Sequence, residues 1–106
     1  MRLIGIGMKI HVDGDARAQL REQFDAVMEE LLFLEARDKI IMDPAVSVDL
    51  AAGDMEIEVA VHAETAEEGE RIARREIERA LEDAGKQSSH MHYVNSGNHS
   101  ELLEPA

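Results

Sequence analysis

Met55-Glu56-Ile57-Glu58-Val59-Ala60-Val61-His62-Ala63-Glu64 is the stretch that decides the fold. Met55, Ile57, Val59, Val61 and Ala63 lie on one side of a two-residue alternation, and Glu56, Glu58, Ala60, His62 and Glu64 on the other. That period belongs to an extended strand with one buried and one wetted face. Just upstream, Val46-Ser47-Val48-Asp49-Leu50 repeats the pattern across a short turn, so the two runs predict a hairpin. With Ala52 and Gly53 as a two-residue turn, Ala51 faces Asp54, Leu50 faces Met55, Val48 faces Ile57 and Val46 faces Val59. All the apolar residues then share a face. A bulged loop of three or four residues is the alternative turn, with the same registration expected.

Residues 3–12 read as another strand, with Ile4, Ile6, Met8, Ile10 and Val12 inward and Leu3, Gly5, Gly7, Lys9 and His11 outward. Two glycines inside a strand cost stability and mark either a permissive strand or the close approach of another group. Asp13-Gly14-Asp15 turns the chain, with Asp15 as the cap of a helix from about Ala16 to Arg37. Its apolar stripe is Ala16, Leu20, Phe24, Val27, Met28, Leu31, Leu32 and Leu34. Arg17, Arg21, Glu22, Asp25, Glu29 and Glu30 lie opposite. Pro44 forbids further helix, and Ile40, Ile41 and Met42 are apolar enough to seal the end of a core. Thr65-Ala66-Glu67-Glu68 is a capping box that opens a second helix, with Gly85 as its expected stop. The inward stripe of that helix is Gly69, Ile72, Ala73, Ile77, Ala80, Leu81 and Ala84. Its arginines alternate with acids, Glu76 among them, on what reads as a solvated face. His90-Met91-His92-Tyr93-Val94 reads as a short last strand, and residues 95–106 as a polar tail, flexible or docking.

Strand, helix, strand, hairpin strand, helix, strand is an α+β order. It resembles the ferredoxin-like split β-α-β sandwich, an antiparallel sheet of order 4-1-3-2 with two helices on one face. The resemblance is topological and implies no activity, because unrelated functions share this fold. It makes residues 1–94 a single domain.

Composition removes several classes of function. Asp and Glu number 23 against 11 Lys and Arg, a formal charge of -12 that repels phosphate backbones and anionic lipid. Aromatic residues are only 3% of the chain, and none falls on the three central strands, so no base-stacking platform forms. No cysteine is present, which excludes disulfides and thiolate chemistry. The apolar start, residues 3–6, is too short for a signal core or a membrane span, so the cytoplasm is the expected location. Asn98-His99-Ser100 matches a glycosylation acceptor and, without a secretion signal, reads as a chance match. There is no nucleophile elbow and no phosphate-cradling glycine loop, and no cofactor is expected.

The chemistry that remains is histidine and carboxylate on the open face of the sheet. With Lys9 opposite Glu58, His11 opposes Glu56 and His62 lies near Gly5. His11 and His62 are then too far apart to share a metal. His90 or His92 on a last strand beside the first is the other route to a metal site with His11. His11, Glu56, Glu58 and His62 are the candidate catalytic set. Gly5, Gly7, Lys9, Asp49, Ala51 and Ala60 are the candidate interface, where small residues invite close approach. The first reading is a noncatalytic domain that works by protein association, a homodimer before any other partner. The alternative is a dimeric enzyme or small-ligand binder with a cavity between facing sheets.

Because acidic charge is spread over the whole chain, neither duplex DNA nor single-stranded RNA should bind at physiological salt. An anisotropy titration at about 0.15 M salt is expected to stay flat, and a micromolar transition would contradict the charge argument.

Overall fold

The structure, a computed structural model, describes residues 2–12, 20–87 and 93–104. Its elements are β1 (Arg2–Val12), α1 (Leu20–Asp38), β2 (Met42–Asp49), β3 (Asp54–Ala63), α2 (Ala66–Gln87) and β4 (Tyr93–Glu104). The four strands form one sheet in the order β2-β3-β1-β4, every neighbouring pair antiparallel. This is the ferredoxin-like sandwich read from the sequence, with both helices on one face. The Asp15 cap and the start of the first helix lie outside the described residues, as do His90 and His92.

The core lies between the sheet and the helices. Ile4, Ile6, Met8, Ile10 and Val12 of β1 meet Met55, Ile57, Val59, Val61 and Ala63 of β3, with Leu20, Val27, Leu31 and Leu34 of α1 above them. From α2 come Ala73, Ile77, Ala80, Leu81 and Ala84, a thin stripe that lets this helix approach the sheet closely. A Cβ on Gly69 would stand 3.3 Å from Val61 Cγ2, so that glycine sets the approach. The start of α2 is capped as expected, the Thr65 hydroxyl accepting from the Glu68 amide at 3.1 Å. Gly85 does not end it. The helix runs on to Gln87.

The helix faces differ from expectation at three positions. Leu32, read as inward, is exposed, because an inward stripe through Leu20, Val27, Leu31 and Leu34 leaves residue 32 about 100° round the helix; Phe33, outside the expected stripe, is exposed with it. Arg37 stacks its guanidinium over the exposed Phe33 ring, 5.1 Å from the centroid. In the opposite sense, Glu30 and Glu76, read as solvent-facing, are 8% and 2% exposed. The Arg75 guanidinium stands 3.9 Å from a Glu76 carboxylate oxygen.

The hairpin keeps the expected faces but not the expected register. Asp49 pairs with Asp54, Val48 with Met55, and Val46 with Ile57, a slip of two residues from the reading above. The cause is the loop. Leu50, Ala51, Ala52 and Gly53 all leave the strands, closed by the Gly53 amide on the Asp49 carbonyl at 2.9 Å and the Ala52 amide on the Asp49 carboxylate at 3.1 Å. Gly53 has φ 76°, a left-handed conformation that explains the glycine, and Leu50 is left exposed. A two-residue slip preserves every face of a period-two pattern, so parity alone cannot detect it.

The larger correction is at the C-terminal end. The last strand does not stop at Val94. It continues to Glu104 along the free edge of β1, so residues 95–104 are strand rather than tail. The pairing includes Ile10 with Asn95, Gly7 with His99, Gly5 with Glu101 and Leu3 with Glu104, with irregularities between Lys9 and Ile10 and between Leu3 and Ile4. Ser96 adds a side-chain bond, its hydroxyl donating to the Lys9 carbonyl at 3.1 Å.

Val59 is buried at the centre of β3 and of the core. Val59→Ala should lower unfolding free energy by about 1–3 kcal/mol, from lost transfer energy and an imperfectly healed cavity. Denaturant unfolding measures it, and a loss below about 0.5 kcal/mol would remove Val59 from the core.

Candidate functional site

The sheet face away from the helices is built from the outward residues of all four strands, and the register settles which of them meet. Across the centre run His99, Gly7, Glu58 and Ala45, then Glu101, Gly5, Ala60 and Met42 in the next row. On the other side of the first row lie Gly97, Lys9, Glu56 and Ser47. His11 stands opposite Asp54, and His62 opposite Leu3. Each partner on β3 is therefore two residues away from the register read above.

That slip divides the candidate catalytic set. His11 does not meet Glu56. Its Nδ1 lies 2.8 Å from an Asp54 carboxylate oxygen, and Lys9 Nζ lies 3.6 Å from the other. The bond from His11 and the charge of Lys9 hold the Asp54 carboxyl below its ordinary range. Lys9, expected opposite Glu58, is turned to Asp54 instead. His62 is exposed at the far end of the face from His11. Asp49 and Ala51 are exposed at the hairpin end, with Asp49 bonded into its own turn.

Glu56 and Glu58 remain, two apart on one face of β3, and the structure adds a residue that was not on the candidate list. His99 of β4 brings its imidazole across Gly7 to within 4.0 Å of a Glu56 carboxylate oxygen. Single ligand atoms of Glu56, Glu58 and His99 all lie within 4.8 Å of one another. The site is wet, His99 being 59% and Glu56 36% exposed along the side chain. Glu58 is nonetheless pushed above the ordinary carboxyl range, first by its hydrogen bond with Glu56, then by partial desolvation and by the charge of Glu56. His99 opposes that shift and Glu101 adds to it.

The two strand glycines are explained by the same strand. A Cβ on Gly7 would clash with the His99 ring, and one on Gly5 would stand 3.1 Å from Leu103 Cδ1. Close approach is thus the reason for both, and the approaching groups belong to β4. Beside them Ala60 is buried without joining the core, sheltered on the open face. These three small residues floor a shallow cavity of about 160 Å³ walled by Asp43, Glu58, His99, Glu101 and Leu103. Asp43 reaches this wall through a bulge in β2, in left-handed backbone at φ 50°, its amide donating to the Glu35 carboxylate at 3.0 Å.

No family model matches the chain, and no curated protein matches it in sequence. Solved structures share its fold. One is a provisionally assigned antibiotic biosynthesis monooxygenase from Bordetella bronchiseptica, with TM-score 0.60, 14% identity and 96% of this chain covered against 97% of that one. Another, provisionally assigned to the same activity, comes from Chloroflexus aurantiacus J-10-fl, with TM-score 0.54, 11% identity and coverage of 98% and 95%. A conserved protein from Methanosarcina mazei Go1 has TM-score 0.56, 12% identity and coverage of 96% and 93%. At such identity the likeness is one of fold. No helix among the described residues is long and apolar enough to cross a membrane.

The raised Glu58 carboxyl has a signed consequence. A group protonated more readily in the folded state supports that state at low pH, and the support is lost as pH rises from the unfolded value through the folded one. Glu58→Gln removes the repulsion with Glu56, so it should raise the melting temperature at pH 7, with the gain shrinking towards pH 4. An equal gain at both pH values, or none at pH 7, would contradict the crowding of these carboxylates.

Proposed function

We propose that the chain works as a dimer that closes its open sheet face over a small-molecule pocket, as a binder or catalyst of a small organic compound. The observation that carries this reading is the cavity floored by Gly5, Gly7 and Ala60, which has polar and apolar walls but no roof. A second sheet laid across it would exclude water and supply the enclosure that ligand sites need. Support also comes from the end-to-end fold likeness to two proteins provisionally named as monooxygenases, which places small-molecule chemistry among the uses of this architecture.

The walls restrict the ligand. Asp43, Glu58 and Glu101 disfavour an anion, and Leu103 offers one apolar contact, so a neutral or cationic compound fits best. The acid–base apparatus is Glu58 beside Glu56 and His99, a carboxyl raised above its ordinary range next to a second carboxyl and an imidazole. Such a group suits proton transfer to or from a bound substrate. His11 has no part in it, because it is committed to Asp54.

Noncatalytic association uses the same face and differs in needing no pocket. The exposed Leu103 on that face favours association in either case. In both readings the acidic faces must be compensated when they meet, because an unpaired buried carboxylate costs several kcal/mol.

Ala60→Arg places a long cation into the cavity while pointing away from the core. Sedimentation of the parent should show a dimer and that of the variant a monomer, with unchanged circular dichroism. A parent that runs as a monomer, or a variant that dimerises as the parent does, would contradict closure through this face.

A further inference from the structure

The charges of the open face do not cancel evenly. Asp54 has both His11 and Lys9 against it. Glu56 and Glu58 face each other with Glu101 nearby, and among the described residues the basic group shown against them is His99. Two crowded carboxylates beside an imidazole can relieve their repulsion by sharing a proton or by binding a cation. The imidazole favours the cation, and with an ion bound Glu58 is a ligand rather than the proton carrier it is in the metal-free site. It adds a nitrogen donor at the point where the oxygens converge, and mixed nitrogen and oxygen donors suit a zinc-type divalent ion.

We propose that Glu56, Glu58 and His99 form a divalent-cation site of the zinc type, with the Gly5–Ala60 cavity beside it as the place for water or a ligand oxygen. Three protein ligands plus an open position is the donor count of a Lewis-acid site rather than of a closed structural one. The donor atoms, within 4.8 Å of one another, need to draw together to about 3.4 Å to share a tetrahedral ion at about 2.0–2.1 Å. The exposure of these side chains permits that contraction without moving the strands. Gly7 is part of the construction, since only a residue without a Cβ lets the His99 ring lie across β1 towards Glu56. The set was divided in the sequence by more than forty positions and is assembled by the pairing of both β3 and β4 with β1. All three ligands come from one chain, so the site is independent of dimerisation.

The test is calorimetric titration of the chelator-stripped full chain with zinc chloride at pH 7. One ion per chain is expected. His99→Ala and Glu58→Gln should each weaken binding at least about tenfold, as loss of a ligand costs no less than loss of an outer-shell contact. His62→Ala and the double variant His90→Ala, His92→Ala should bind as the parent does. Binding should also weaken from pH 7 to pH 5, since a proton competes for each ligand. The proposal is overturned if the parent binds no zinc tighter than on the order of 100 µM, or if His99→Ala binds as tightly as the parent. It is equally overturned if removal of His90 and His92 abolishes binding. Sedimentation of the parent with and without zinc separates this result from dimer closure: a monomer that binds one ion through His99 keeps the metal site and rejects the facing-sheet pocket.

Discussion

The pairing of β4 with β1 is the interaction on which the open face depends. β1 supplies a floor with side chains missing at Gly5 and Gly7, and β4 lays Leu103 and His99 over those two gaps. Neither strand makes the site alone. Without β4 the glycines would be bare backbone beside water, and the cavity would lose His99, Glu101 and Leu103 from its walls. Without glycine at position 7 the imidazole would be pushed off Glu56. The interlocking of a missing side chain with a long one across an antiparallel pair is a known way to make an edge strand specific in register.

The face is then divided by charge into two ends with different chemistry. At the hairpin end, His11 and Lys9 converge on Asp54 and keep it ionised, a satisfied group with little to offer a ligand. In the middle, Glu56 and Glu58 repel each other, and Glu58 holds its proton more tightly for that reason. The first arrangement stabilises the fold where carboxylates are charged and fades as pH falls through the acid range. The second works in the opposite sense. A chain with formal charge -12 has many carboxylates on its surface, but crowding of this kind is local.

Much of the scaffold was legible because burial imposes a period. Ile57, Val59 and Val61 could face only one way, and the same holds for Ile4, Ile6 and Met8, so sheet order and the helix-covered face followed from the sequence. The register was not legible, because a shift of two residues leaves every face unchanged. The Gly53 turn excludes Leu50 from the strand, and the pairing of β1 with β3 places Asp54, not Glu56, opposite His11. β4 was missed beyond Val94 for a related reason. Its described residues from Asn95 to Leu103 are almost all exposed, so no hydrophobic alternation writes them as a strand, and Asn95-Ser96-Gly97-Asn98 reads locally as a turn. The signal that existed lay elsewhere in the chain. Two outward glycines in β1 called for covering groups, and Leu103 and His99 of β4 supply them. The candidate site was half legible on the same grounds: Glu56 and Glu58 could be named from β3, while His99 depended on a strand that polar sequence concealed.

The contact between His99 and Gly7 can be observed directly in solution by nuclear magnetic resonance. The account predicts a strong Overhauser effect between the His99 Hε1 proton and the Gly7 Hα protons, with those Hα resonances shifted by the ring current. Gly7 Hα protons at unshifted positions, with no Overhauser effect to His99 and with freely exchanging amides from residue 95 to 103, would contradict the placement of β4 and with it the site.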